Sequence, residues 1–224
     1  MTRIGLFAGT AMVALISNGV LAGSNPGVAP KVIAGQGIPS KGTTLYSQNS
    51  DYGYAIVSQN FTSGALTSYD AAAADDFVVP KGKVWKVTGV DVAGEYYYLS
   101  GPAASEIVTF YKNDNGHPGT IVGNPQTVNC TDTAGSFACT IKSVKFAGGK
   151  KGKRYWLSVV ANCDHSTCGD WGWVQTITTH HAPGQWENPG SGFGQGCSSW
   201  SSTSSCWVEA GADDYAFDLK GKSD

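Results

Sequence analysis

Six cysteines fall in three close pairs: Cys130 and Cys139, Cys163 and Cys168, Cys197 and Cys206. Thiols at such spacings can bond to each other, hold a metal or cycle between redox states. Zinc needs four ligands in a tetrahedron, and Cys163-Asp164-His165-Ser166-Thr167-Cys168 lacks the usual two-by-two knuckle spacing. An even count at short separations behind an apolar leader reads instead as a disulfide framework. Several connectivities are open. Neighbour pairing is the simplest, because Cys130 and Cys139 flank Asp132-Thr133-Ala134-Gly135-Ser136, a predicted hairpin turn.

Carboxylates form the second pattern. Ala74-Asp75-Asp76-Phe77 is echoed by Ala212-Asp213-Asp214-Tyr215. Carboxylates brought together repel unless they gather a hard cation, and Ca²⁺ takes oxygen ligands. Asp75, Asp76, Asp213 and Asp214 are therefore the candidate metal ligands, with structural Ca²⁺ as the cofactor they would hold. The competing reading is that each pair ends a strand and accepts hydrogen bonds from turn N–H groups. Asn113-Asp114-Asn115-Gly116 resembles part of a calcium loop but has no distal Glu, so it reads as a turn.

The third pattern is aromatic. Trp171, Trp173, Trp186, Trp200 and Trp207 crowd one region, interleaved with Gly184, Gly190, Gly192, Gly194 and Gly196. Loops on a rigid β-scaffold commonly carry binding, and an indole face beside amides and a carboxylate suits a sugar ring. Trp186, Glu187, Asn188 and Trp200 are the candidate platform. Against this stands packing: tryptophans on disulfides replace missing aliphatic core, and Trp171 and Trp173 alternate on one strand face with Gln175 and Ile177.

Complete catalytic motifs are absent from the sequence. Ser191 follows Pro189-Gly190, so no nucleophile elbow forms, and Gly192-Phe193-Gly194-Gln195-Gly196 is no dinucleotide fingerprint. Adjacent His180 and His181 face opposite ways on a strand. A hydrolase would need a pair from Glu95, Glu106, Glu187 and Glu209, and the sequence does not show their separation. The run Lys142, Lys145, Lys150, Lys151, Lys153, Arg154 holds six cations and no acid. Such a run could meet an anionic envelope polysaccharide, although lysines also blunt strand edges.

The elements that position these groups are short strands. Thirty glycines, seven tryptophans, ten tyrosines and only 14% charged residues argue against helices. Period-two or β-branched runs cover Tyr54–Phe61, Asp76–Val79, Val84–Val92, Ile107–Tyr111, Phe137–Phe146, Arg154–Ala161, Trp173–Thr179 and Tyr215–Leu219. The alternation slips at Gly89, which predicts a bulge there. The expected fold is all-β: a two-sheet antiparallel β-sandwich of jelly-roll type, stapled by disulfides. Residues 1–22 have the form of a signal peptide, with Arg3, an apolar run and Val20-Leu21-Ala22. Residues 23–44 read as a flexible lead-in, and 45–224 as one domain. A net charge of −2 argues against nucleic acid. No later run is apolar enough for a membrane span.

Ala74–Pro80, Trp85 to Gly94, Val108–Asn115 with Pro118-Gly119, Tyr155–Val159, Trp186 to Gly194 and Asp214 to Gly221 together resemble an uncharacterised domain recurring in exported bacterial proteins. That resemblance implies a β-sandwich of jelly-roll or carbohydrate-binding-module kind and transfers no catalytic residue. The expectation is thus a secreted, extracellular or periplasmic, non-catalytic protein. Its partner would be a glycan or envelope polymer met through the Trp/Gly-rich loops. A structural or protein-interaction domain is the alternative, and a glycan hydrolase the third reading.

Overall fold

A computed structural model describes residues 28–29, 41–208 and 214–224. The expected leader and Asp213 lie outside the described residues. The first strands in chain order are β1 (Val28–Ala29), β2 (Thr43–Ser47), β3 (Tyr52–Val57), β4 (Gln59–Phe61), β5 (Ala72–Val79) and β6 (Val84–Val92). Next come β7 (Gly94–Tyr97), β8 (Ser105–Asp114), β9 (His117–Ile121), β10 (Gln126–Val128), β11 (Thr131–Thr133) and β12 (Ser136–Ala147). The last are β13 (Lys153–Cys163), β14 (Asp170–Thr176), β15 (Gln185–Glu187), β16 (Ser201–Ser202), β17 (Asp214–Tyr215) and β18 (Phe217–Ser223). Helical elements among the described residues include a 3₁₀ segment, Gly64–Tyr69, and two single turns, α1 (His165–Cys168) and α2 (Thr203–Cys206).

Strands pair antiparallel almost throughout, with β4 and β13 running parallel. One sheet runs β10-β8-β13-β5-β15-β16, with β9 on β8 and β4 on β13. A second runs β11-β12-β6-β18-β2. The third runs β1-β3-β14-β17, with β7 on β14. The expected all-β, sandwich-like fold is present, but the described strands divide among three sheets rather than two. The third sheet packs on the second through β14, whose Trp171 meets Phe137 of β12 and whose Trp173 meets Phe217 of β18. Trp171 stacks on Phe137 at 4.7 Å and Trp173 lies 5.1 Å from Tyr215.

Alternation on each strand builds the main core. Tyr155, Leu157 and Val159 of β13 point inward and meet Phe77 from β5, Phe110 from β8 and Phe146 from β12. Phe146 sits 5.2 Å from Phe77, 5.0 Å from Phe110 and 5.0 Å from Tyr155, in edge-on contacts that aromatic quadrupoles favour. Gly94 lets the third sheet close on this core. A Cβ there would stand 2.4 Å from Trp171 Nε1, which donates to the Gly135 carbonyl at 2.7 Å.

The expected lead-in 23–44 is not wholly outside the fold. Val28 and Ala29 pair with Ile56 and Ala55 of β3, and β2 begins at Thr43. An unpaired edge on β3 recruits the passing chain, which short-range periodicity does not reveal. The slip expected at Gly89 is present on both sides of β6. β12 shifts register between Thr140 and Val144, and β18 between Lys220 and Gly221, each opposite Gly89 and Val87.

Candidate functional site

All three neighbouring cysteine pairs are bonded, with Cα separations of 4.3 Å for Cys130–Cys139 and 6.0 Å for Cys163–Cys168 and Cys197–Cys206. Thr131 faces Ala138 across the β11–β12 hairpin, so Cys130 and Cys139 fall opposite each other. The turn is Ala134-Gly135, both at positive φ, as a tight two-residue hairpin requires. Disulfides of this kind point to an oxidising, extracellular-type compartment.

The expected sugar platform does not form. Trp186 is fully buried, sends Nε1 to the Val57 carbonyl at 2.8 Å, and packs edge-on against Trp207 at 5.0 Å. Asn188 is 2% exposed and clamps the 3₁₀ segment, donating to the Ser68 and Asp70 carbonyls and accepting from Phe193 N–H. Strand alternation sends Trp186 inward and its neighbour Glu187 outward, so the two cannot share a ligand. Glu187 instead meets Trp200. The Trp200 N–H bonds the Glu187 carboxylate, and the half-buried Trp200 ring stands edge-on to Tyr111 at 5.9 Å. Trp200 covers Ala74 and Trp156 on the outer face of the largest sheet, which makes it packing as much as surface.

The two acidic motifs do converge. Asp75 accepts from Tyr215 N–H across the β5–β17 contact, and Asp214 raises the Asp75 carboxyl. The described members of the set, Asp75, Asp76 and Asp214, are engaged as hydrogen-bond acceptors. Asp75 takes Gln48 Nε2 at 2.6 Å and its neighbour's N–H at 2.7 Å. Asp76 takes Arg154 Nε at 2.9 Å and Ala182 N–H at 3.1 Å, and Asp214 takes His180 N–H. Among the described residues, no group of three His, Cys, Asp or Glu side chains is arranged to hold a metal ion. The carboxylates serve as internal acceptors, the competing reading of the sequence, because strand ends leave N–H groups for them to satisfy.

These buried acids set a pH dependence. Burial pushes Asp76 up to about 6 against the pull of Arg154, and pushes Glu106 and Glu187 up to about 7. Burial, then the nearby Asp214, raises Asp75 well above the usual range. A carboxyl raised in the folded state binds its proton more tightly folded than unfolded. Its stabilisation is complete below the unfolded pKa and lost as pH climbs through the folded one. Stability is therefore expected to fall from pH 4 to pH 8. The fall is expected to appear as a Tm lower by about 5 °C or more at pH 8 than at pH 4. Calorimetry across that range checks it, and a Tm that rises toward pH 8 contradicts the assignment.

A concave feature of the described surface lies elsewhere. The bulge opposite Gly89 throws Ile141, Lys142 and Ser143 of β12 out of register. Together with residues 122–128 it walls a groove of about 850 Å³. Val122, Val128, Ile141 and Val144 give the groove apolar surface, while Thr127, Thr140, Ser143, Lys142 and Lys145 add hydroxyls and ammoniums. The lining contains no carboxylate. Gln126 braces one wall: its side chain donates to the Lys142 carbonyl at 3.0 Å and accepts from the Lys142 N–H at 2.6 Å. Sequence reasoning singled out Lys142 and Lys145 but not residues 122–128, whose contribution depends on β10 lying across from the bulge.

No protein-family model, curated protein or solved structure matches the chain. Among the described residues, no helix is long and apolar enough to cross a membrane.

Proposed function

We propose that this chain is an exported, non-catalytic β-sandwich protein that binds a glycan or other cell-envelope polymer in the groove between β10 and β12. The groove's lining carries the reading. Hydroxyls, ammoniums and apolar floor in one trough suit a sugar chain, whose ring faces are apolar and whose hydroxyls need partners. Glycoside hydrolysis generally needs two carboxyls around the scissile bond, and the lining offers none. The three disulfides support export.

The test is a polysaccharide array probed with wild-type protein, Thr127→Trp and Trp200→Ala. Thr127 lies exposed in the lining, so an indole there fills the trough without disturbing the core. Binding is expected to weaken about tenfold or more in Thr127→Trp, a loss of at least ~1.4 kcal/mol, and to survive in Trp200→Ala. Undiminished binding by Thr127→Trp removes the groove as the site. Silence of the wild type on every polymer removes the function.

A further inference from the structure

The five-stranded sheet β11-β12-β6-β18-β2 carries a line of lysines that the linear sequence scatters. Lys145 of β12 stands directly opposite Lys86 of β6, and Lys86 directly opposite Lys222 of β18. All three are exposed, and their neighbours Trp85, Val87 and Phe146 are buried, so the row lies on the outer face. Asp224 sits among them: its carboxyl is held below the usual range first by the Lys86 hydrogen bond, then by Lys145 and Lys222. Its ion pair with Lys86, at 2.7 Å, is one acid set against three cations.

Like charges directly opposite on adjacent strands destabilise a sheet. Edge protection explains lysines on outer strands. It does not explain Lys86, because β6 is an interior strand of this sheet, flanked there by β12 and β18; Lys222 lies one residue past the last β18–β2 pair, Gly221 with Thr43. The row also starts at the groove, since Lys145 belongs to both.

We infer that the ligand is a linear polysaccharide bearing about one anionic group per sugar ring, lying in the groove and continuing across Lys145, Lys86 and Lys222. This rests on the groove reading above and names its substrate class. Strand spacing sets neighbouring lysines about 5 Å apart, a repeat that charged sugars in a chain can follow. The track is one lysine wide, which a flat bilayer does not match. The groove lining holds no aromatic on which a base could stack. An acidic peptide adding as a strand is blocked at the bulge, where Gln126 already occupies both backbone groups of Lys142.

The experiment measures binding of polygalacturonate, its fully methyl-esterified form and anionic phospholipid vesicles to wild type, Thr127→Trp and a Lys86→Gln/Lys222→Gln variant. Expected are binding of polygalacturonate over the ester, steep weakening with salt, and about tenfold weaker binding by the double variant. The double variant should keep the wild-type Tm or exceed it, because repulsion is relieved; lysines kept for stability predict a fall. Equal binding of the ester, or an unaffected double variant, overturns the inference while leaving the groove reading in place. Binding of vesicles alone overturns the inference. No binding to any probe overturns both.

Discussion

Reducing the three disulfides is expected to lower the Tm of the oxidised protein by about 15 °C or more, a loss near 7 kcal/mol. The bonded residues are only nine, five and nine positions apart. Small loops restrict the unfolded chain modestly, so each bridge contributes about 2–3 kcal/mol in the chain-entropy account. Together they approach the whole net stability of an ordinary domain, about 5–15 kcal/mol. The loss should be visible as cooperative unfolding at lower temperature with dithiothreitol present. Opening Cys197–Cys206 should also redden tryptophan emission, because both cysteines belong to the cluster that buries Trp186 and Trp207. A Tm that stays within about 2 °C on full reduction would mean the bridges constrain nothing that packing does not already hold.

Trp186→Ala is the second large effect, expected to cost about 3–5 kcal/mol and about 10 °C or more in Tm. The indole touches Phe193 at 6.0 Å and Trp207 at 5.0 Å between ring centres, and its N–H is spent on Val57. Alanine leaves a cavity the size of the ring and an unmatched Val57 carbonyl. Trp186→Phe should recover most of the packing but not the hydrogen bond, giving an intermediate Tm. The same substitution should leave polymer binding per folded molecule unchanged. A variant with native Tm and lost binding would restore Trp186 as a ligand platform.

Much of the architecture was legible in the chain. Val84–Val92 reads as a strand and is one, because Trp85, Val87 and Val90 needed burial. Asn113-Asp114-Asn115-Gly116 reads as a turn and residues 132–136 as a hairpin turn, and Asn115, Gly116, Ala134 and Gly135 hold positive φ in the fold. Weakly patterned strands such as β10, β15 and β16 were not legible, since two or three residues carry no period. Their existence depends on the partners they meet. The site residues divide the same way. Trp171 and Trp173 are core, as the packing reading had it, but every residue of β14 is buried and Ile177, placed on the same face, is exposed, so alternation did not mark them. The loop composition around Trp186 suggested exposure, yet the three residues Gln185–Glu187 form a strand whose middle side chain turns inward.

Cysteine spacing, glycine-rich turns and period-two runs determined by themselves an all-β chain with a disulfide framework, because those properties act within about ten residues. Neighbour pairing was the simplest of several connectivities, and the fold selects it. Tertiary structure alone decided that Asp75 and Asp214 would meet as internal acceptors and that Trp186 would face the core. It also decided that Lys145, Lys86 and Lys222 would form one row. The physical reason is that sheet register couples residues 59 and 136 positions apart, and one shift of register would send each of those side chains to the opposite face.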